Sequence, residues 1–204
     1  MKLRGEQIVM VTAYDFPSAR MADRAGVDVV LVGDSGAQVV LGRDSTVAIS
    51  TDEMIMLSAA VRRGISEALL VCDVPFGSTE LSDAQAIETA IRFVKEAGAD
   101  AVKIEGATPE RLSRIRAITA AGIPVVGHIG LTPQTATALG GFRAQGRTVE
   151  TATRFVTEAL AEHGVAAPAT ALVQQLVQAQ IAAGGGDDDY SGVARVIFGL
   201  ARLD

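Results

Sequence analysis

The sequence predicts an α/β fold with a parallel β-sheet, because short apolar runs alternate with stretches of helical periodicity. The apolar runs read as strands near residues 8–12, 27–32, 69–73, 101–105 and 123–128. Five βα units in series are typical of an open parallel sheet or of a barrel. A complete eight-stranded barrel usually needs about 250 residues. We therefore expect a barrel-like domain truncated to five βα units over residues 1–148, followed by a helical extension over residues 149–204.

Capping and stop residues place the helices between these strands. Pro17 suits the first turn of a helix that stops at Gly26. Residues 50–53 and 82–85 have the form of capping boxes in front of two further helices. Beyond residue 148 no further β-branched runs occur, and helices are predicted at 150–163, 170–183 and 191–203.

Composition excludes several classes of function. A net charge of −6, no tryptophan and few aromatic residues argue against a nucleic-acid partner. No apolar run reaches about 18 residues, so no membrane span is expected. The first five residues lack the apolar stretch of a signal peptide, and the single cysteine, Cys72, fits a reducing cytoplasm. Because Cys72 lies within an apolar strand, a small buried hydrophobic role is favoured over a nucleophilic one.

Acidic side chains stand where three of the predicted strands end. Asp34 follows the second strand, Asp73 ends the third and Glu105 ends the fourth. In parallel α/β folds the carboxyl ends of the strands carry the ligand site. Carboxylates that converge from separate strands can hold a hard divalent cation and leave positions open for a substrate. Each acid could instead cap the next helix, but three in succession, with Lys103 beside Glu105, favour a site.

Neighbouring residues of this set have structural alternatives. Ser35 could be a turn or cap residue, and Lys103 could pair with Glu105 or with another acid on the rim of the sheet. His128 could be a hydrogen-bonded structural histidine, and the role of Tyr14 and Asp15 could be limited to capping the first helix.

Six stretches carry a resemblance to a known family. They are residues 11–15 (VTAYD), 32–35 (VGDS), 40–46 (VLGRDST), 73–78 (DVPFGS), 97–106 (AGADAVKIEG) and 127–134 (GHIGLTPQ). In order and spacing they resemble the ketopantoate hydroxymethyltransferase family over about residues 5–148. The resemblance implies a TIM-barrel-like fold of the phosphoenolpyruvate/pyruvate superfamily. It also implies transfer of a hydroxymethyl unit from 5,10-methylenetetrahydrofolate to 3-methyl-2-oxobutanoate, which gives 2-dehydropantoate in pantothenate biosynthesis.

The resemblance also implies a role for each matching residue. Three acids would form a Mg²⁺ site, with Glu105 acting through water: Asp34, Asp73 and Glu105. The implied substrate-binding residues are Asp34, Ser35, Asp73 and Lys103, and the implied catalytic residues are Lys103 and His128. In this scheme Mg²⁺ polarises the carbonyl of the 2-oxo acid and stabilises the enolate that attacks the one-carbon unit.

The second half of the chain departs from the family pattern. The resemblance implies a general-base glutamate after a sixth strand, yet Glu150, Glu158 and Glu162 lie in sequence of helical character. Loss of such a base would lower the rate by about 10²–10⁴-fold. Residues 163–198 resemble the C-terminal helices of β-hydroxyacid dehydrogenases. No G-x-G-x-x-G follows a strand, so no nicotinamide site is expected.

Three hypotheses about function follow. The first is the one-carbon transferase, with turnover impaired if the base is missing. The second is another carbon–carbon lyase of the same superfamily that acts on a 2-oxo acid and needs no folate. The third is a non-catalytic scaffold or oligomerisation module. Open strand edges and apolar helix faces also predict a homo-oligomer.

Overall fold

The computed structural model describes residues 6–135 and Thr148 of the 204-residue chain. The chain divides into two units, Met1–Glu105 with Pro109–His128, and Gly106–Thr108 with Ile129–Asp204. The three predicted C-terminal helices, the dehydrogenase-like segment and the glutamates considered as bases lie outside the described residues. The predicted boundary at residues 148 and 149 stays a prediction.

Five parallel strands and the helices between them make up the first unit. The strands are β1 (Met10–Thr12), β2 (Val29–Val32), β3 (Leu69–Asp73), β4 (Ala101–Glu105) and β5 (Val125–His128). The helices are α1 (Phe16–Arg24), α2 (Gly36–Val39), α3 (Thr51–Arg62), α4 (Asp83–Arg92) and α5 (Pro109–Ala120). A π-helical turn, Phe93–Ala97, extends α4, and single 3₁₀ turns occur at Thr46–Ala48 and, in the second unit, at Pro133–Thr135.

The strands pair in chain order, β1-β2-β3-β4-β5, and every pairing is parallel. A doubly wound sheet reverses its strand order at a switch point, whereas consecutive order is the arrangement within a (β/α) barrel. The order therefore favours the barrel-like alternative. Within the described residues, no helix is long and apolar enough to cross a membrane.

Strand bounds differ from the predicted ones where a local hydrogen bond interrupts the ladder. The first strand begins at Met10 because the N–H of Val9 donates to Asp28 Oδ2 at 2.8 Å. The second begins at Val29 because the N–H of Val27 still donates to Ala22 at the end of α1. The fifth begins after Pro124, which has no N–H to give to the ladder.

The predicted helix caps mostly form. The Ser50–Glu53 capping box is complete, with both reciprocal hydrogen bonds present. Only half of the Ser82–Gln85 box forms: Ser82 accepts from the N–H of Gln85, but the Gln85 side chain binds the N–H of Leu81 instead. The left-handed Gly98, at φ 70°, ends the helical segment that α4 begins.

Alternation along the strands separates two faces of the sheet. One face packs on the helices and carries the main core, with fully buried Val30, Leu70, Cys72 and Val102. The other face carries a small apolar cluster of Val29, Val71 and Ala101. The next side chains on that same face, towards the carboxyl end, include Asp73, Lys103 and Glu105. On this face of the sheet, the polar residues therefore come directly after the small apolar cluster, towards the carboxyl ends of the strands.

We expect Asp23 to stabilise the segment that leads into β3. Its carboxylate accepts the N–H groups of Ser66, Glu67 and Ala68 at 3.0, 3.1 and 2.9 Å. Asp23→Asn should lower the free energy of unfolding at pH 7 by about 1 kcal/mol, because an amide oxygen replaces a charged acceptor. Urea unfolding monitored by circular dichroism would measure the loss.

The effect of Asp23 should depend on pH. These hydrogen bonds, above all the one from Ala68, lower the pKa of Asp23 from 3.8. Its contribution is thus complete well above pH 3.8 and is lost as the pH falls through the lower, folded-state pKa. Glu67→Gln is a matched control, since it removes an exposed charge from the same segment. Equal losses in both variants, or a loss independent of pH, would contradict this role for Asp23.

We also expect Cys72 to be chemically inert in the folded protein. Its side chain is fully buried, and burial raises the pKa of the thiol to about 12. Iodoacetamide at pH 8 should alkylate the folded protein at least about a hundredfold more slowly than the urea-unfolded chain, because the thiolate is the reactive form. Mass spectrometry would follow the labelling; similar rates in the two states would show that Cys72 is accessible.

Candidate active site

The candidate site lies at the carboxyl end of the sheet, where one row of residues runs across neighbouring strands. Asp73 pairs in register with Lys103, and Lys103 pairs with Val126. The last β2–β3 pair is Val32 with Cys72, so Gly33 continues the row beside Asp73. The row therefore brings a carboxylate and an ammonium together beside a residue without a side chain.

Asp73 is at the centre of the polar contacts. Asp73 is 4% exposed. Its Oδ1 accepts a hydrogen bond from Lys103 Nζ at 2.5 Å, and its Oδ2 accepts one from the N–H of Asp34 at 3.1 Å. Burial raises the pKa of Asp73, and the charge of Glu105 adds to this, while Lys103 and the N–H of Asp34 act in the opposite direction. The structural alternative for Lys103 was an ion pair with Glu105 or with another acid on the rim of the sheet, and the acid that it pairs with is Asp73.

Two further predicted residues form a pair beside this centre. Glu105 is buried, and its Oε1 lies 3.1 Å from Nδ1 of His128. Register places the two opposite each other, since Glu105 of β4 pairs with His128 of β5. An ionised carboxylate only accepts hydrogen bonds, so Nδ1 donates to it, and in a neutral imidazole Nε2 is then the acceptor nitrogen. The hydrogen bond holds the half-exposed imidazole in one orientation.

Tyr14 belongs to the site, and the residue patterns alone did not assign it there. Asp15 is the N-cap of α1, but the hydroxyl of Tyr14 lies 2.7 Å from Oγ of Ser35. Tyr14 follows β1 as Asp34 follows β2, so its position after a strand was the signal that could have identified it. The alternative that both residues only cap the helix is therefore wrong for Tyr14.

Gly33 and Gly36 leave room for these contacts. A methyl group at position 33 would lie 2.8 Å from Ser35 Oγ, 3.6 Å from Asp73 Oδ2 and 3.7 Å from Tyr14 Oη. At position 36 it would lie 3.2 Å from Cδ1 of the Tyr14 ring. The 2.8 Å distance at position 33 and the 3.2 Å distance at position 36 are shorter than an ordinary van der Waals contact. The two glycines are therefore required for close packing of the Tyr14 ring and the hydroxyl groups.

The donor set suits a magnesium ion that is held by few protein ligands. Among the described residues, no group of three or more His, Cys, Asp or Glu side chains is arranged as a metal site. Mg²⁺ commonly takes only one or two carboxylates and fills its octahedron with water and substrate oxygens. Asp34 and Asp73 are both buried and adjacent, and each oxygen of Asp73 keeps a second lone pair. Direct or water-mediated contact by Glu105 stays a prediction.

Two solved structures have a backbone fold similar to that of this chain. A phosphonopyruvate hydrolase, in complex with oxalate and Mg²⁺, superposes with a TM-score of 0.58 at 15% identity, covering 78% of this chain and 56% of that one. A phosphoenolpyruvate phosphomutase from Streptomyces platensis subsp. rosaceus gives 0.57 at 19% identity, covering 79% and 60%. The predicted TIM-barrel-like fold is confirmed.

Curated relatives are much closer in sequence. The protein named 3-methyl-2-oxobutanoate hydroxymethyltransferase 2, mitochondrial, from Oryza sativa subsp. japonica is 53% identical over 88% of this chain and 45% of its own length. The 3-methyl-2-oxobutanoate hydroxymethyltransferase of Gloeobacter violaceus is 49% identical over 84% of this chain and 66% of its own. The 3-methyl-2-oxobutanoate hydroxymethyltransferase of Geobacillus kaustophilus is 49% identical over 90% of this chain and 64% of its own length. This chain thus spans from about half to two thirds of the length of these relatives.

The model of one family matches residues 1–184, under the description ketopantoate hydroxymethyltransferase. The match continues past residue 148, where the resemblance was expected to end, and includes the first part of the segment that resembles dehydrogenases. The second resemblance stays a prediction. Since the family model covers most of the sequence and the relatives are about half identical, this chain belongs to the ketopantoate hydroxymethyltransferase family.

Proposed function

We propose that this chain carries out hydroxymethyl transfer from 5,10-methylenetetrahydrofolate to 3-methyl-2-oxobutanoate, which gives 2-dehydropantoate for pantothenate biosynthesis. Family membership and the names of the relatives support the reaction. The observation that carries the proposal is the buried Asp73 carboxylate, which Lys103 and the backbone of Asp34 hold at the carboxyl end of the sheet. This arrangement suits a small anionic ligand that binds together with a cation.

Asp34 and Asp73 would hold the Mg²⁺ ion, with Glu105 acting through water. When bound, the ion supplies Lewis-acid stabilisation of the negative charge that develops on the keto oxygen as C3 loses a proton. The burial of both aspartates keeps water from screening this charge, which strengthens the electrostatic interaction.

Lys103 and Ser35 would bind the carboxylate of the 2-oxo acid. The Lys103 side chain is 14% exposed and pairs with Asp73, so its ammonium can offset the charge of Asp73 and of the ligand together. Ser35 contributes a hydroxyl group that can donate a hydrogen bond to a carboxylate oxygen. Both contacts orient the ligand before any bond changes.

His128 is proposed to take part in proton transfer. Its Nδ1 is held by Glu105, so Nε2 is the atom that can accept or return a proton at the ligand. Glu105 keeps the ring from turning, as carboxylates commonly do for functional histidines.

We also propose a homo-oligomer in the cytoplasm. Exposed apolar side chains follow one another from Ile8, at 54% exposure, through Val9 and into β1, where Val11 is 41% exposed. Apolar edges of this kind commonly mark contacts with another chain. The rice relative is named as mitochondrial and the bacterial relatives carry no compartment in their names, so the location of this chain rests on the composition argument.

The metal and ligand half of the site can be tested by calorimetric titration of 3-methyl-2-oxobutanoate. We expect binding in the presence of Mg²⁺ and its loss with chelator. Asp73→Asn should weaken binding by at least about tenfold, because it removes a charged ligand of the ion. Asp52→Asn makes the same chemical change at an exposed position of α3 that forms a surface ion pair with Arg92, and it should bind as the wild type does.

Three results would contradict this assignment. Equal binding with Mg²⁺ and with chelator would show that the ligand does not need the metal. Unchanged affinity in folded Asp73→Asn would show that Asp73 is not a ligand of the ion. A folded wild-type protein that binds nothing in either condition would favour the non-catalytic scaffold.

The reaction itself can be tested by following 2-dehydropantoate with and without 5,10-methylenetetrahydrofolate. We expect product only when the folate, the 2-oxo acid and Mg²⁺ are all present, because the folate supplies the carbon that is transferred. Asp73→Asn should abolish product formation, whereas Asp52→Asn should not. Consumption of a 2-oxo acid without folate would instead indicate a carbon–carbon lyase of the same superfamily.

A further inference from the structure

Tyr14 is a polar residue of the site to which neither the family match nor the names of the relatives give a role. It is the residue that β1 contributes at the carboxyl end of the sheet. The ladder between β1 and β2 continues past Thr12, since the N–H of Ala13 donates to Leu31 at 3.1 Å. Tyr14 therefore stands next to Gly33, in the same row as Asp73 and Lys103.

The Tyr14 ring is held by packing that does not involve its hydroxyl group. Cδ1 and Cε1 of the ring lie 3.2 and 3.3 Å from the place where a methyl group at Gly36 would be. The ring thus covers the first residue of α2, directly after Ser35. Loss of the hydroxyl group alone would leave this contact in place.

The hydroxyl group of Tyr14 makes a short contact with Ser35. Their oxygens are 2.7 Å apart, a typical distance for an O–H···O hydrogen bond. A phenol is the stronger donor and an aliphatic hydroxyl the better acceptor, so Tyr14 donates and Ser35 accepts. Ser35 then retains its own proton for a third group, and the first bond polarises the second.

Gly33 brings three polar atoms of the site close together because it has no side chain. Ser35 Oγ, Tyr14 Oη and Asp73 Oδ2 all lie within 4 Å of the missing methyl group at Gly33. A ligand carboxylate that accepts the Ser35 proton would therefore lie near Asp73, whose negative charge Lys103 offsets.

We propose that Tyr14 is a positioning residue that fixes the Ser35 hydroxyl for hydrogen bonding to the carboxylate of the bound 2-oxo acid. This inference rests on the proposed function, because it requires the 2-oxo acid to bind beside Asp73. Tyr14 acts through Ser35 and does not itself touch the ligand. The role of Tyr14 is to keep Ser35 in one rotamer, with the serine proton directed at the carboxylate of the ligand.

The test is a double-mutant cycle read out as the Kd for 3-methyl-2-oxobutanoate with Mg²⁺. Tyr14→Phe keeps the ring and should raise Kd by roughly threefold to tenfold, the effect of one hydrogen bond. Ser35→Ala should raise it by at least as much. The double variant should equal Ser35→Ala alone, because Tyr14 has no effect once Ser35 is gone.

A matched control removes a hydroxyl group elsewhere. Ser113 Oγ donates to Asp83 Oδ2 at 2.9 Å between α5 and α4. Ser113→Ala loses a side-chain hydrogen bond of similar length and should leave Kd unchanged. Steady-state kinetics add a second readout: Tyr14→Phe should raise KM for the 2-oxo acid more than it lowers kcat, whereas a general loss of folded protein lowers kcat alone.

The outcomes separate this inference from the function on which it rests. Wild-type affinity in Tyr14→Phe, or losses that add in the double variant, would overturn the role of Tyr14 while the 2-oxo acid site stands. If wild-type protein does not bind the ligand, the proposed function and this inference both fail. Should Tyr14→Phe not fold, Ser35→Ala decides, because unchanged Kd there shows that no serine contact exists for Tyr14 to position.

Discussion

The ion pair between Asp73 and Lys103 is the contact around which the described site is organised. A carboxylate that is 4% exposed is costly unless it is paired and hydrogen-bonded. Lys103 supplies the opposite charge from the neighbouring strand, and the N–H of Asp34 supplies a further hydrogen bond from β2. Three strands are thereby tied to one side chain, and any ligand or ion that binds there meets an electrostatic arrangement that is already assembled.

The two edges of the sheet use acidic residues in different ways. Near the amino ends of the strands, the carboxylates of Asp23, Asp28 and Asp100 accept backbone N–H groups at the starts of β1 and β3. At the carboxyl ends, the acids are buried and face other functional side chains. This division agrees with barrel enzymes, in which one end supports stability and the other carries the chemistry.

Close packing sets the second requirement of the site. Gly33 and Gly36 flank Asp34 and Ser35, and each stands where a methyl group would meet a neighbouring side chain at 3.0 Å or less. The polar groups can approach one another because these two positions have no side chain. The family motif at residues 32–35 therefore reflects steric need as well as chemistry, since a side chain at Gly33 would collide with Ser35.

Much of the fold and of the site was predictable from local patterns. Apolar runs and caps identified the five strands, and the acids at the strand ends identified the site, because both signals lie in neighbouring residues of the chain. Contacts between strands were not predictable in this way. Lys103 pairs with Asp73 on the adjacent strand and not with Glu105 two positions along its own, and Glu105 meets His128. Tyr14 joined the site only because parallel register sets it beside Gly33, and such register is a property of the folded sheet and not of any single segment.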